Sequence, residues 1–160
     1  MRIILVRHGE HKGDKLTFLG KKQIRTLKKQ LKYYNFEKVY CSPTDRCLQS
    51  AQILAGKKEI IVREGLNERF QLDHRPATED EQAWWKHYMD PNFTSPVGET
   101  LKEFLKRNYE VFKDIEKENC DILVVAHSAT TYALSSYLLK TQSVIWTRLG
   151  YGNMLCFEVK

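Results

Sequence analysis

Two apolar runs in this 160-residue chain end in the same abrupt way: residues 3–10 read IILVRHGE and residues 121–128 read DILVVAHS. Each drives a stretch suited to a buried strand straight into a histidine, His8 in the first and His127 in the second. Arg7 precedes His8, and Gly9 follows it, a residue that lets backbone approach a ligand closely. A third segment, CSPTDRCLQSA at 41–51, carries Arg46 in what reads as the first turn of a helix. A fourth, GLNER, sets Glu68 and Arg69 in a loop after another short apolar run.

Taken singly, each piece has a plain structural explanation. A lone histidine is commonly a packed core group, and an exposed arginine is commonly solvated. Together they suggest phosphate chemistry. Two arginines and two histidines around one pocket make a site for a dianion, because guanidinium forks match phosphate oxygens. A neutral imidazole attacks phosphorus, and the phosphohistidine it forms divides one hard step into two easier ones. Fixed cations then stabilise the charge spread over the transferring oxygens. A nearby carboxylic acid has to protonate the leaving oxygen and later take a proton from water, and Glu68 is the candidate.

For these residues to meet, several elements must bring them to one edge. The patterning predicts strands at 2–6, 39–41, 60–62 and 154–159, with a further strand in the run before His127. It predicts a helix from a Thr17 cap to about residue 33, and a second capped by Ser42 and stopped by Gly56. A long helix starts at Glu99 and runs to about 118, and another follows His127 to about 139. Strands alternating with helices imply a three-layer α/β/α sandwich with a mostly parallel central sheet. In such sheets ligands bind beyond the carboxyl ends of the strands, where His8, Ser42 and His127 emerge. Residues 64–98 differ in character, being polar, broken by Pro76, Pro91 and Pro96, and rich in aromatics. They are expected to hold a short helix near 79–89, with 69–98 forming a lid or specificity segment. Within it Arg69, His74, Arg75, Trp84, Trp85, Lys86 and His87 could cover the pocket, and packing onto the domain explains the tryptophans equally well.

Composition narrows the class. The length suits a single domain over 1–160 with a core of its own. No run approaches the roughly 20 apolar residues of a membrane helix, and no leader pattern opens the chain, so a cytoplasmic protein is expected. Cys41, Cys47, Cys120 and Cys156 lack CxxC pairing, which points to reduced thiols and no metal site. No cofactor is implied. The net charge of +6 includes Lys21, Lys22, Lys28, Lys29 and Lys32 on one helix. That face lacks interleaved aromatics and does not specify nucleic acid; a solvated surface or attraction of an anionic substrate accounts for it.

The chain resembles the histidine phosphatase superfamily, the phosphoglycerate mutase-like proteins. The matching segments are VRHGE at 6–10, LTFLGKKQ at 16–23, CSPTDRCLQSA at 41–51, LNER ending at Arg69, GET at 98–100 and VVAHS at 124–128, in the family's order. The resemblance implies a metal-free mechanism with His8 as the phosphorylated nucleophile. By the same match Arg7, Arg46 and His127 hold the phosphoryl group, and Glu68 is the proton donor. Thr17 matches a structural helix cap, and Glu99 a secondary position. Two departures stand out. HKGDK, between Glu10 and Leu16, is short and lacks an asparagine found in mutase-type members. Ser128 replaces a glycine, and its hydroxyl or N–H remains able to bind phosphate. The resemblance implies a phosphatase acting on a small phosphorylated metabolite, with Arg69 and Ser128 as further substrate contacts. A phosphoglycerate mutase-type transferase, a protein phosphohistidine phosphatase and a silent phosphate-binding module remain open. The oligomeric state is not legible.

Overall fold

The structure, a computed structural model, describes residues 1–69, 99–141 and 149–159. The expected helix near 79–89 and the lid beyond Arg69 lie outside the described residues. Among the described residues the strands are β1 (Arg2–Arg7), β2 (His11–Lys12), β3 (Lys15–Leu16), β4 (Lys38–Cys41), β5 (Ile60–Val62), β6 (Ile122–Ala126) and β7 (Met154–Glu158). The helices are α1 (Phe18–Leu31), α2 (Asp45–Ala55), α3 (Leu101–Glu116) and α4 (Ser128–Leu139), with a 3₁₀ turn at Glu64–Leu66. The main sheet runs β5-β4-β6-β1-β7, and β2 and β3 form a separate hairpin. β1, β4, β5 and β6 pair in parallel, whereas β7 joins the β1 edge antiparallel.

The alternation of side chains along each strand builds two cores. Ile3, Leu5, Ile122 and Val124 face Leu101, Phe104, Phe112 and Ile115 of α3 and Tyr132 and Ala133 of α4. Ile4, Val6, Leu123 and Val125 face Ile24, Leu27 and Leu31 of α1 and Cys47, Ala51 and Leu54 of α2. β1 and β6 are apolar on both faces because each face is covered, the condition under which parallel strands lose their polar alternation. Ile24, Leu27 and Leu31 contribute roughly 1.5–3 kcal/mol each by leaving water. The lysines on the opposite side of α1 are exposed.

Several boundaries follow their local chemistry. Thr17 caps α1, its hydroxyl accepting from the Gly20 N–H at 3.0 Å. α3 starts two residues after the expected Glu99: Thr100 is its cap, in a reciprocal box with Glu103. The capping hydroxyl already satisfies the helix end, which leaves the Glu99 side chain free for another partner. A second correction concerns α2, whose cap position is Thr44 and not Ser42. Pro43 stands between them, and Ser42 turns inward instead. All four cysteines are free; Cys41 and Cys47 are buried, and burial pushes the Cys47 thiol up to about 12.

Candidate active site

β6 lies between β1 and β4, so the carboxyl ends of these three strands form one continuous edge. The register places Arg7 opposite Ala126 and Cys41 opposite Val125. Main-chain bonds extend it one step further: the His8 N–H donates to Ala126 at 3.0 Å and the Ser42 N–H to Val125 at 3.0 Å. His8, Ser42 and His127 therefore leave the sheet side by side. The His8 and His127 rings are 5.1 Å apart, and both are buried.

The tautomer of His8 is set by its neighbours. Nδ1 lies 2.8 Å from the Gly9 carbonyl, an acceptor, so Nδ1 carries the proton. Nε2 then holds a lone pair, and Arg46 Nε donates to it at 3.3 Å. Burial lowers the ring to about 3; the Gly9 bond opposes this, and Arg46, His11 and Arg7 push it further down. The result is a neutral imidazole with its free nitrogen facing a guanidinium.

The loop carrying this ring rests on α1 with no side chain between. A Cβ on Gly9 would stand 2.5 Å from the Gly20 carbonyl oxygen, and one on Gly20 would stand 2.0 Å from that of Glu10. Both positions require glycine because backbone meets backbone. Thr17 closes the contact: its N–H donates to the Glu10 carbonyl at 3.0 Å and its hydroxyl to the Glu10 carboxylate at 2.7 Å.

His127 is fully buried at the cap position of α4. Its Nε2 pairs with the Ser42 hydroxyl at 2.8 Å. Its Nδ1 has no hydrogen-bond partner among the described residues and lies 3.6 Å from Glu68 Oε2, beyond hydrogen-bond reach. Burial, then the neighbouring His8 and the arginines, holds this ring well below its ordinary value, so the contact with Glu68 is not an ion pair. When Ser42 donates to Nε2, Nδ1 carries the ring proton and is a donor aimed into the site. Glu68 is half-buried and accepts from the Arg69 N–H at 3.0 Å. Burial raises its carboxyl above the ordinary range, against the Arg69 bond and the charges of Arg46, Arg7 and Arg107. A carboxyl so displaced sits closer to the pH at which it can exchange protons.

Arg7 donates to the Leu149 carbonyl at 2.6 Å and stacks on Tyr151, 3.9 Å above the ring. Ser128 accepts from the Leu149 N–H at 3.1 Å, tying the same segment to α4. Arg69 is buried, its Nε donating to the Glu99 carbonyl at 3.4 Å. The start of α2 faces a carboxylate of the protein itself. Asp14, in the β2-β3 turn, accepts from the Asp45 N–H at 3.0 Å and from Arg46 at 2.5 Å.

Sequence reasoning brought Arg7, His8, Arg46, Glu68 and His127 to this edge but missed several neighbours. Ser42, expected to cap α2, pairs with His127 instead. His11 and Tyr151 have ring centroids 5.0 and 5.5 Å from His8 and were not anticipated. RHGEH, with two histidines three residues apart, was a signal for the first; nothing in LGYGN marked Tyr151 as a neighbour of β1. Among the described residues no group of three or more His, Cys, Asp or Glu side chains is arranged to hold a metal ion.

A mostly parallel sheet between helical layers, with paired histidines at its carboxyl edge, is the architecture of phosphoglycerate mutase-like proteins. The chain belongs to the histidine phosphatase superfamily (branch 1), whose family model matches residues 3–159. It is 28% identical over 171 residues to an adenosylcobalamin/alpha-ribazole phosphatase of Salmonella typhimurium, covering 87% of this chain and 80% of that protein. A mutant phosphoserine phosphatase from Entamoeba histolytica, solved with phosphoserine, superposes with a TM-score of 0.82 at 25% identity, over 99% of this chain and 91% of the other. The alpha-ribazole phosphatase of Shigella flexneri shares the fold, with a TM-score of 0.84 at 22% identity, over 100% and 91% of the two chains. Among the described residues no helix is long and apolar enough to cross a membrane.

Proposed function

We propose that this protein hydrolyses phosphomonoesters of small metabolites through a phosphohistidine on His8, with residues 1–160 acting as one catalytic unit. The observation that carries this reading is the His8 tautomer: Nδ1 is committed to the Gly9 carbonyl, and the Nε2 lone pair faces Arg46. Nε2 attacks phosphorus as the bond from phosphorus to the ester oxygen breaks. The departing oxygen takes the proton of Glu68, and the alcohol leaves. Arg7, Arg46 and His127 Nδ1 hold the three phosphoryl oxygens, with Ser128 and Arg69 as outer contacts. In the second half, the Glu68 carboxylate takes a proton from water, the water oxygen bonds to phosphorus, and the nitrogen–phosphorus bond breaks. Inorganic phosphate and the starting enzyme result, without metal or cofactor. The relatives named for alpha-ribazole phosphatase and phosphoserine phosphatase activity support a small phosphorylated substrate.

The test is hydrolysis of an aryl phosphate at mildly acidic pH with chelator present, together with quenching in alkaline denaturant during turnover. The expected products are free phosphate and an acid-labile, base-stable phosphate on the protein. His8→Ala should remove both while leaving the fold intact. Near-normal turnover by that variant would eliminate His8 as nucleophile. Phosphate transfer to an added hydroxyl in place of water would favour a mutase, and binding without turnover a silent module.

A further inference from the structure

We propose that Arg107, on α3 and outside every motif above, is the positioning residue that sets the reach of the Glu68 carboxyl into the site. This rests on the reading of Glu68 as proton donor.

The geometry is that of a clamp. The segment from Gly65 to Glu68 leaves the 3₁₀ turn at Glu64–Leu66, and the carbonyls of Gly65, Asn67 and Glu68 converge on one guanidinium. Arg107 Nη1 donates to the Gly65 carbonyl at 2.8 Å and to that of Asn67 at 2.7 Å. Nη2 donates to the Glu68 carbonyl at 3.1 Å. The guanidinium is itself oriented by Glu99, whose carboxylate accepts from Nε at 2.9 and 3.2 Å and also from Nη2. Backbone closeness does the rest. A Cβ on Gly65 would stand 2.7 Å from the Arg107 carbonyl oxygen and 2.6 Å from Val111 Cγ2, so the loop lies directly on α3. Glu99 and Glu68, far apart in the chain, are thus joined through one side chain. Lysine is no substitute, because an ammonium lacks the planar fork that holds a carboxylate and several carbonyls at once. Among the described residues the hydrogen bonds of Arg107 go to Glu99 and to the Gly65–Glu68 segment, so its directional hold on the site runs through Glu68.

The test separates positioning from mere scaffolding. Wild type, Arg107→Gln, Arg107→Lys and Glu68→Gln are compared in kcat/KM on nitrophenyl phosphate and on phenyl phosphate. The first leaving group needs little protonation and the second needs much. A general acid is worth roughly 10²–10⁴-fold, so partial misplacement in Arg107→Gln should cost about 10–100-fold on phenyl phosphate and only a few-fold on nitrophenyl phosphate. The ratio of the two substrates is independent of how much of the sample is folded. Should Arg107→Gln fail to fold, Glu99→Gln frees the guanidinium from its orienting partner and is expected to shift the ratio in the same direction.

A pH profile gives an independent sign. The alkaline limb of kcat/KM reports loss of the Glu68 proton. Removing the Arg107 cation raises that limb, whereas simple loosening of the loop exposes Glu68 to water and lowers it. Arg107→Lys keeps the charge, so its limb should stay near that of wild type while the phenyl phosphate defect persists. A substrate ratio equal to that of wild type in Arg107→Gln, or a lowered limb, overturns the positioning role. A Glu68→Gln ratio equal to that of wild type would instead overturn the reading of Glu68 as proton donor, and wild-type inactivity toward both esters the phosphatase reading beneath it.

Discussion

Replacing His8 by asparagine should flatten the acid side of the stability curve, and the size of the effect follows from burial. The His8 side chain is 2% exposed, and its ring is held at about 3, against an ordinary 6.5 in the unfolded chain. Between those values the unfolded chain binds a proton that the folded chain refuses. Stability from this group therefore rises with pH across the window and is lost as pH falls below about 6.5. At about 1.4 kcal/mol per pH unit, the loss between about pH 7 and about pH 5 is roughly 2 kcal/mol. Asparagine keeps an N–H that can reach the Gly9 carbonyl but does not titrate. Urea unfolding at about pH 5, 6 and 7, in buffer free of phosphate and extrapolated linearly, measures the difference. Phosphate must be absent because an anion bound only to the folded state adds its own stabilisation. The constant cost of the substitution cancels, since the comparison is of slopes. The variant should lose about 2 kcal/mol less than wild type on acidification. Parallel curves, agreeing within about 0.5 kcal/mol, would mean that His8 accepts a proton in the folded state, and the neutral nucleophile would go with it.

Two further substitutions probe the frame of the site. Ser42→Ala removes the hydroxyl from buried His127 Nε2 and should cost roughly 1–3 kcal/mol, the penalty of an orphaned buried polar atom; an unchanged urea midpoint would show that the bond does not hold the ring. Gly20→Ala puts a methyl 2.0 Å from the Glu10 carbonyl oxygen, so the His8 loop must lift off α1. The expected loss is roughly 1–3 kcal/mol in denaturation, with a fall in turnover, and full activity at normal stability would refute the backbone-on-backbone contact.

Much of this frame could be read in advance because it depends on short-range pattern. IILV and ILVVA admit little besides covered parallel strands, and Ile24, Leu27 and Leu31 mark one face of a helix. The misreadings also share a cause. Ser42 has the chemistry of a cap, but Pro43 displaces the helix start to Thr44, and the neighbouring strand offers the serine a histidine. Glu99 likewise resembles the start of a helix, but Thr100 and Glu103 close that end between them.

Residue order alone specified an α/β sandwich, and it identified Arg7, His8, Arg46, Glu68 and His127 as groups to be gathered at one edge. Those conclusions need only periodicity, strand-end placement and side-chain chemistry. Which nitrogen of His8 is free, which hydroxyl steadies His127, why Asp14 answers Arg46 and how Arg107 holds the Glu68 loop were decided by tertiary structure. The first turns on a ring rotamer against the adjacent Gly9 carbonyl, and the other three are contacts between distant segments; a hydrogen bond depends on positions in space that local pattern does not encode.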